Sequence, residues 1–484
     1  MQTTTELLPH QGLAAAKLMF SRVGGLLMEM GTGKSRTLIE LAFRRQDHFD
    51  RFFWFCPVSL KATVYYELLK HTDLEVDDIC VWDDSTNERT VPLTARFHVV
   101  GIESMSSSDR IVHTFDKVLT DKSYVAVDES SYIKGHSSKR TERITAMASR
   151  AKYRAILNGT PFTQGAVDLY AQMRFLSPEI LGYKSFYSFA ANHLEYEIKR
   201  NPQTRQYVET KRIVRSHNVR FLAAKIEPYT FQVLKNECLT LPEKLYESRY
   251  CAMSSAQRGY YEQAKHEILL QHDPDYWTAT TIFHLFTALQ CIICGFWKRR
   301  DSRTGVQTLI EIDHDRIDTM LAAAEEIPLE AKVVVWAKYH YCVNQIVQKL
   351  TEVYGADAVQ QYHGKISTEQ RETQLAAWRA SGRFLVATQA SGGHGLTLNE
   401  AEYVIFYANS FKFSERIQAE DRNHRIGQTK RPVYVSLSCL DSIDERIARA
   451  LDKKESALRS FQRSISDLRG RGDKNKAVEV AAKL

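Results

Sequence analysis

Leu26-Leu27-Met28-Glu29-Met30-Gly31-Thr32-Gly33-Lys34-Ser35 is an apolar run that closes on a glycine-rich pentapeptide, and an apolar-periodic stretch from Ser35 to Arg45 follows it. The run reads as a short buried strand and the stretch as a helix, with a glycine turn between them. A phosphate needs backbone N–H groups converging on it, and glycine lets a loop fold tightly enough to supply them. The N-terminus of the following helix adds a favourable dipole. Lys34 suits the β/γ-phosphate charge and the Ser35 hydroxyl suits Mg²⁺. The strict eight-residue pattern would begin with glycine where Met28 stands, so the pentapeptide alone leaves a chance glycine turn open.

Working outward, strand patterns at Phe52–Cys56, Phe97–Gly101, Tyr124–Val127 and Ala155–Leu157 alternate with helical ones, the pattern of a parallel α/β sheet. Val125-Ala126-Val127-Asp128-Glu129 is a buried strand ending in two carboxylates. An acidic strand end is commonplace. Beyond a phosphate loop, however, Asp128 is placed to hold hydrated Mg²⁺ and Glu129 to polarise an attacking water, which points to nucleoside triphosphate hydrolysis. A second α/β ladder starts at Lys332, with strands at Lys332–Trp336, Val359–Tyr362, Phe384–Ala387, Tyr403–Tyr407 and Val433–Leu437 and helices at Tyr341–Tyr354, Thr368–Ala380 and Ser414–Arg425. Within the last helix, Gln418, Arg422 and Arg425 stand at i, i+4 and i+7 and share a face. Guanidinium forks match the oxygens of a γ-phosphate transition state. Without the phosphate loop, the same residues would read as an exposed basic helix.

Between the ladders lies an aromatic and basic middle with helical patterns at Ala256–Leu270 and Thr278–Phe296. The expected organisation is a first lobe at 1–180, a helical protrusion at 181–238, a second lobe at 239–445 carrying a helical insertion at about 256–328, and a C-terminal helix with a basic tail at 446–484. That last segment holds 11 Lys/Arg against 5 Asp/Glu.

The chain has 484 residues, 44% apolar and 25% charged, with a net charge of +7. Those values suit two to four globular domains and permit a polyanionic partner without demanding one. No apolar run is long enough to span a membrane. The first residues lack a basic stretch followed by an apolar one, so no secretory signal is expected. Eight scattered cysteines read as reduced thiols of a cytoplasmic protein. Cys291-x-x-Cys294 has no second pair at zinc spacing and reads as core. Trp277, Phe283, Phe286, Phe296 and Trp297 also read as core rather than as base-stacking residues, and His394 as loop geometry.

Taken in order, these segments resemble superfamily-two helicase-type motors of the Swi/Snf-like double-stranded-DNA translocase group, over almost the whole chain. Leu8-Pro9-His10-Gln11 resembles the adenine-reading segment, with Gln11 as the contact. Glu29 to Ser35 resembles the phosphate loop, with Gly31, Thr32, Gly33, Lys34 and Ser35 at the nucleotide. Cys56 to Leu60 resembles the first DNA-contacting motif. Val127-Asp128-Glu129 with Ile133-Lys134 and Ser137 to Lys139 resembles the second motif. Asn158-Gly159-Thr160-Pro161 resembles the coupling motif. Lys332 to Trp336, His363-Gly364 with Arg371, Thr388 to Leu398 and Gln418 to Gln428 resemble the motifs of the second lobe, and His424-Arg425-Ile426-Gly427-Gln428 is the most discriminating piece. Leu241-Pro242-Glu243-Lys244 also recurs in this group.

The resemblance implies two tandem RecA-like α/β lobes and ATP with Mg²⁺ as cofactors. It implies Glu129, Lys34, Arg422 and Arg425 as catalytic residues, Gln418 at the nucleotide, and Ser35 and Asp128 as metal ligands. Gly159, Thr160, Gly393 and Gly395 would couple hydrolysis to motion. Lys61, Ser104, Lys365, Thr388 and Ser391 would contact DNA phosphates, on motif position alone. The implied activity is ATP-driven movement along duplex DNA that displaces bound proteins or remodels DNA. Alternatives are a strand-separating or branch-processing helicase acting on DNA or RNA, and an ATP-gated DNA clamp or adaptor. A monomer is expected, in a bacterial or a virus-infected host cytoplasm, with no membrane association and with a protein partner on the insertion. Two departures stand out. Asp128-Glu129-Ser130-Ser131 replaces Asp-Glu-Ala-His, and Phe411-Lys412-Phe413 replaces Trp-Asn-Pro.

Overall fold

The computed structural model describes residues 1–159, 166–200, 207–300, 304–389, 396–453 and 473–482. The chain divides into two compact units, Met1–Thr240 and Leu241–Leu484. No described helix is long and apolar enough to cross a membrane.

The first unit holds strands β1 (Val23–Met28), β2 (Phe52–Cys56), β3 (Ile79–Val81), β4 (Phe97–Gly101), β5 (Tyr124–Val127) and β6 (Tyr153–Leu157), an antiparallel hairpin of β7 (Leu194–Arg200) and β8 (Tyr207–Ser216), and β9 (Thr230–Val233). All but the hairpin form one seven-stranded sheet, ordered β3-β4-β2-β5-β6-β1-β9, and every neighbouring pair is parallel. The strands are apolar on both faces because helices cover both. Along β2, Phe53 and Phe55 join one core layer while Phe52, Trp54 and Cys56 join the other. Parallel pairing brings all the C-terminal strand ends to one edge. Neighbours β5, β6 and β1 therefore deliver Asp128-Glu129, Asn158-Gly159 and the glycine loop side by side.

The second unit contains β10 (Leu245–Cys251), the antiparallel hairpin β11 (Phe296–Arg300) and β12 (Gln307–Glu311), then β13 (Val333–Ala337), β14 (Val359–Tyr362), β15 (Phe384–Thr388), β16 (Tyr403–Phe406) and β17 (Val433–Cys439). Its six-stranded sheet, β10-β17-β16-β13-β15-β14, is parallel throughout.

The segments expected as a helical protrusion and a helical insertion hold helices, at Phe186–His193 and Val219–Ile226 among others, but also strands. Residues 181–238 contain the β7–β8 hairpin and return β9 to the first sheet. Leu194, Tyr196 and Ile198 alternate with charged residues, the two-residue period of a strand. The insertion at 256–328 contains helices at Ser255–Lys265 and Ala279–Ile293 but also the β11–β12 hairpin. Strand β10 escaped the sequence reading because it is an edge strand whose residues are mostly exposed, so it carries no apolar run. Of the C-terminal segment, helices at Ile443–Asp452 and Lys474–Ala482 are described.

Candidate functional site

The glycine loop has the conformation its composition calls for. Gly31 and Gly33 have φ of 81° and 84°, and Gly33 precedes the Lys34–Arg44 helix. A side chain at either position would be strained. The Lys34 ammonium donates to the carbonyls of Met28 (3.0 Å) and Glu29 (3.3 Å), so it lies back over the loop. Thr32 Oγ1 donates to the Glu29 carbonyl at 2.7 Å. The N-terminal segment grips the same loop. His10 Nε2 donates to the Thr32 carbonyl at 2.8 Å and Gln11 Nε2 at 3.2 Å, while Gln11 Oε1 accepts from the Leu8 N–H. Glu29 is held from the far side, where it accepts from the Lys235 N–H at 2.6 Å just after β9. Neither His10 nor the β9 tether carried a role in the sequence reading.

Asp128 and Glu129 stand one strand beyond β6. Asp128 is buried and accepts from the Glu129 N–H at 2.8 Å. Burial, reinforced by the Glu129 carboxylate and opposed by Lys34, pushes the Asp128 carboxyl up to about 7. Glu129 adopts φ 47°, a left-handed conformation costing on the order of 1–3 kcal/mol in a non-glycine residue. That strain turns the chain sharply at the strand end. Gly159, at the end of β6, fits against the loop so closely that a Cβ would lie 3.0 Å from Met30 Cγ and 3.6 Å from the Lys34 ammonium. Lys34, Asp128, Glu129 and Gly159 thus gather at one place, with Ser35 in the first turn of the helix after the loop.

Beneath them lies a buried polar network that the sequence did not announce. Gln172 Oε1 accepts from Ser130 Oγ (2.5 Å) and Asn158 Nδ2 (3.2 Å), and Gln172 Nε2 donates to the Asp168 carbonyl (2.7 Å). Asp168 in turn lies 3.7 Å from the Lys134 ammonium. Ser130, part of the departure from Asp-Glu-Ala-His, is therefore tied to Asn158 through a single glutamine of the Val167–Leu176 helix.

In the second unit, the expected helix over 414–425 is corrected. It spans Phe413–Glu420 and ends there, so Gln418 lies on it while Arg422 and Arg425 follow in turns. The three do not share a helical face. Side-chain capture of the backbone stops the helix. The Tyr434 hydroxyl lies 3.2 Å from the Glu420 carbonyl and donates to Asn423 Oδ1 at 2.8 Å. Asn423 and Gln428 both donate to the Ala401 carbonyl, and the Leu398 N–H donates to the Arg422 carbonyl. Gly427, at φ 97°, closes the turn against Asn399. Arg422 is buried, and Arg425 Nη1 donates to Thr397 Oγ1 at 2.6 Å. The Leu241-Pro242-Glu243-Lys244 segment anchors this region. Lys244 pairs with Glu420 at 2.8 Å, Arg416 pairs with the same carboxylate at 2.7 Å, and His424 Nε2 donates to the Pro242 carbonyl at 2.9 Å.

The remaining candidates are scattered. Lys61 begins a helix and donates to the Trp82 carbonyl at 2.6 Å, Ser104 begins a short helix, Thr388 is buried at the end of β15, and Lys365 is exposed. Thr160, Ser391, Gly393 and Gly395 lie outside the described residues, as does His394. Cys291 and Cys294 are buried, and among the described residues no cluster of His, Cys, Asp or Glu is placed to hold a metal ion. Trp277, Phe286, Phe296 and Trp297 are buried, while Phe283 is 46% exposed.

Comparison with known proteins gives two family matches, an SNF2-related domain over residues 13–295 and a helicase conserved C-terminal domain over 317–427. Similar proteins include an uncharacterised ATP-dependent helicase of Mycoplasma genitalium, 24% identical across 69% of this chain and 30% of that protein. A TATA-binding protein-associated factor of Arabidopsis thaliana is 24% identical across 85% of this chain and 22% of its own. A nuclear protein of Saccharomyces cerevisiae, STH1/NPS1, is 25% identical across 71% of this chain and 27% of its own. The chain thus spans less than a third of the length of these relatives. Among solved structures, the Sulfolobus solfataricus SWI2/SNF2 ATPase core in complex with double-stranded DNA is 20% identical, covers 98% of this chain and 95% of its own, and has a TM-score of 0.43.

Proposed function

The chain belongs to the SNF2-related family of helicase-type ATPases, with two RecA-like lobes, and on that premise we propose that it hydrolyses ATP to move along double-stranded DNA, displacing bound proteins or remodelling the duplex. The observation that carries the reading is the convergence, at one sheet edge, of the glycine loop, Lys34, Asp128-Glu129 and Gly159.

In this reading the N–H groups around Gly31, Thr32 and Gly33 cradle the phosphates and Lys34 neutralises their charge. That requires the ammonium to leave the Met28 and Glu29 carbonyls for the phosphate. Gln11, already gripping the loop, reads the adenine. Ser35 and Asp128 would hold Mg²⁺, and a carboxyl pushed up by burial and by the neighbouring Glu129 carboxylate, more than Lys34 offsets, suits a divalent cation. Held there, Mg²⁺ would neutralise charge on the phosphate oxygens. Glu129 orients and polarises the attacking water. Arg422 and Arg425 stabilise transition-state charge, with Gln418 beside the nucleotide. Gly159 and Thr160 in the first unit, and Gly393 and Gly395 in the second, transmit the hydrolytic state to the DNA contacts. Duplex grip through phosphates is tolerant of sequence and sensitive to salt.

The test is the ATP hydrolysis rate without nucleic acid and with blunt duplex DNA, single-stranded DNA or RNA, with Lys34→Ala as control. Strong stimulation by duplex supports the translocase, and triplex displacement then reads movement. Stimulation chiefly by single strands or RNA replaces it with an unwinding enzyme. Hydrolysis that no nucleic acid stimulates, with DNA held in an ATP-dependent way by Glu129→Gln, replaces it with a clamp.

A further inference from the structure

We propose that the β11–β12 hairpin of the second unit is an additional grip on the DNA phosphate backbone, made by Lys298 and Arg300 beside Lys365; the inference rests on the duplex-DNA reading above. The hairpin has a rigid root. Phe296 and Trp297 are buried, and the Phe296 ring lies 4.4 Å from that of Tyr341 and 5.6 Å from that of Tyr339. Side chains alternate along a strand, so Lys298 and Arg300 share the face of Phe296, the face that meets the start of the His340–Tyr354 helix.

The two faces of the hairpin differ in charge. Arg299, on the opposite face, is engaged within the protein: it pairs with Glu267 at 2.5 Å and lies over the Trp297 ring. Lys298 and Arg300 are exposed and have no carboxylate partner among the described residues. Lys365 comes to the same place from β14. Its N–H donates to His363 Nδ1 at 3.3 Å, and the His363 ring stands 5.1 Å from that of His340. Burial, together with the charges of Lys365 and Lys298, lowers the affinity of His340 for a proton, so both ammonium groups act on one imidazole. Arg371 also acts on His363, and the first turn of the His340–Tyr354 helix carries no acid. The nearby carboxylate, Glu311, is hydrogen-bonded to Tyr341. The result is a surface where Lys298 and Arg300 of the hairpin and Lys365 of the turn after β14, far apart in sequence, bring their charges together, and a polyanion is the partner that complements it.

The experiment is duplex binding by the full chain across a salt series, read by fluorescence anisotropy of a labelled blunt duplex. Each phosphate contact contributes about 0.9 to the slope of log K against log salt. Lys298→Ala/Arg300→Ala should lower the slope by about 1–2 and weaken binding equally on unrelated sequences. It should leave the ATPase rate without nucleic acid unchanged, which shows that the chain is folded. Arg299→Ala should leave the slope unchanged, because that charge is already satisfied. An unchanged slope in the double variant, while Lys365→Ala lowers it, overturns the hairpin contact and leaves the duplex-DNA reading standing. If the wild-type chain binds single strands or RNA but not duplex, the functional reading fails, and the slope on that strand still decides whether the hairpin grips phosphates.

Discussion

The glycine-loop edge of the first unit and the Phe413–Gln428 region of the second are both recognisable as motifs, yet they are built in opposite ways. At the first, local rules suffice. Glycines at positive φ, a helix N-terminus and parallel neighbouring strands force Lys34, Asp128 and Gly159 together. At the second, local rules mislead. Gln418, Arg422 and Arg425 have helical spacing, but the helix ends at Glu420, where the Tyr434 hydroxyl meets its carbonyl and Asn423 and Gln428 tie the turns that follow to the Ala401 carbonyl. A spacing rule assumes that the helix continues, whereas long-range hydrogen bonds decide whether it does. The first region should therefore break at single loop residues, and the second at the contacts that bind it to distant segments.

The largest effect is expected at the loop. Lys34→Ala removes the ammonium that, on the proposed reading, neutralises the phosphates, and ATP hydrolysis should fall by about a hundredfold or more with the fold intact. A variant retaining more than a tenth of wild-type activity would show that the charge is supplied elsewhere. The next largest effect tests the second region. Glu420 is buried and receives Lys244, Arg416 and the Tyr246 hydroxyl. Glu420→Ala strands a buried arginine and should cost about 3–5 kcal/mol, lowering Tm by about 10 °C. Lys244→Ala, removing the more exposed partner, should cost less. If Lys244→Ala costs as much as Glu420→Ala, the anchor is Lys244 and not the carboxylate. Smaller still is Gln172→Leu. It leaves Ser130 and Asn158 without the acceptor they share and should cost about 1–3 kcal/mol. In a double-mutant cycle, Ser130→Ala should add little on that background. Additive losses would show that Ser130 and Gln172 act separately.

Much of this was legible in sequence, for identifiable reasons. Buried parallel strands announce themselves as apolar runs, so Phe52–Cys56 and Val333–Ala337 stood out, while the exposed edge strand Leu245–Cys251 did not. The loop residues were legible because glycine-rich phosphate cradles constrain consecutive positions. Gln172 was invisible because its partners lie 42 and 14 residues away and nothing about a glutamine in a helix marks it. Lys298 was hidden in the same way: its neighbours come from the turn after β14 and the start of the His340–Tyr354 helix, and only the fold brings them together.

A further effect separates the two regions by pH. Asp128 is held up to about 7 by burial and by Glu129, against an unfolded value near 3.9. Between those values the folded chain keeps a proton that the unfolded chain has released. The contribution is therefore fully present below about pH 4 and is lost as pH rises through about 7. In the second region the sign is reversed. Glu420 is buried, which alone would raise it, but Lys244 and Arg416 prevail and hold it below the usual carboxylate range, so its contribution is lost as pH falls. Thermal unfolding followed with a chelator present should thus show a destabilisation between pH 4 and 7 that Asp128→Asn removes, on top of an acid-side loss that Asp128→Asn leaves in place. Adding Mg²⁺ should restore stability more at pH 8 than at pH 5, because metal and proton compete for one carboxylate. If Asp128→Asn leaves the pH profile unchanged, the buried carboxyl is not the group that titrates, and the case for a cation at Asp128 loses its electrostatic support.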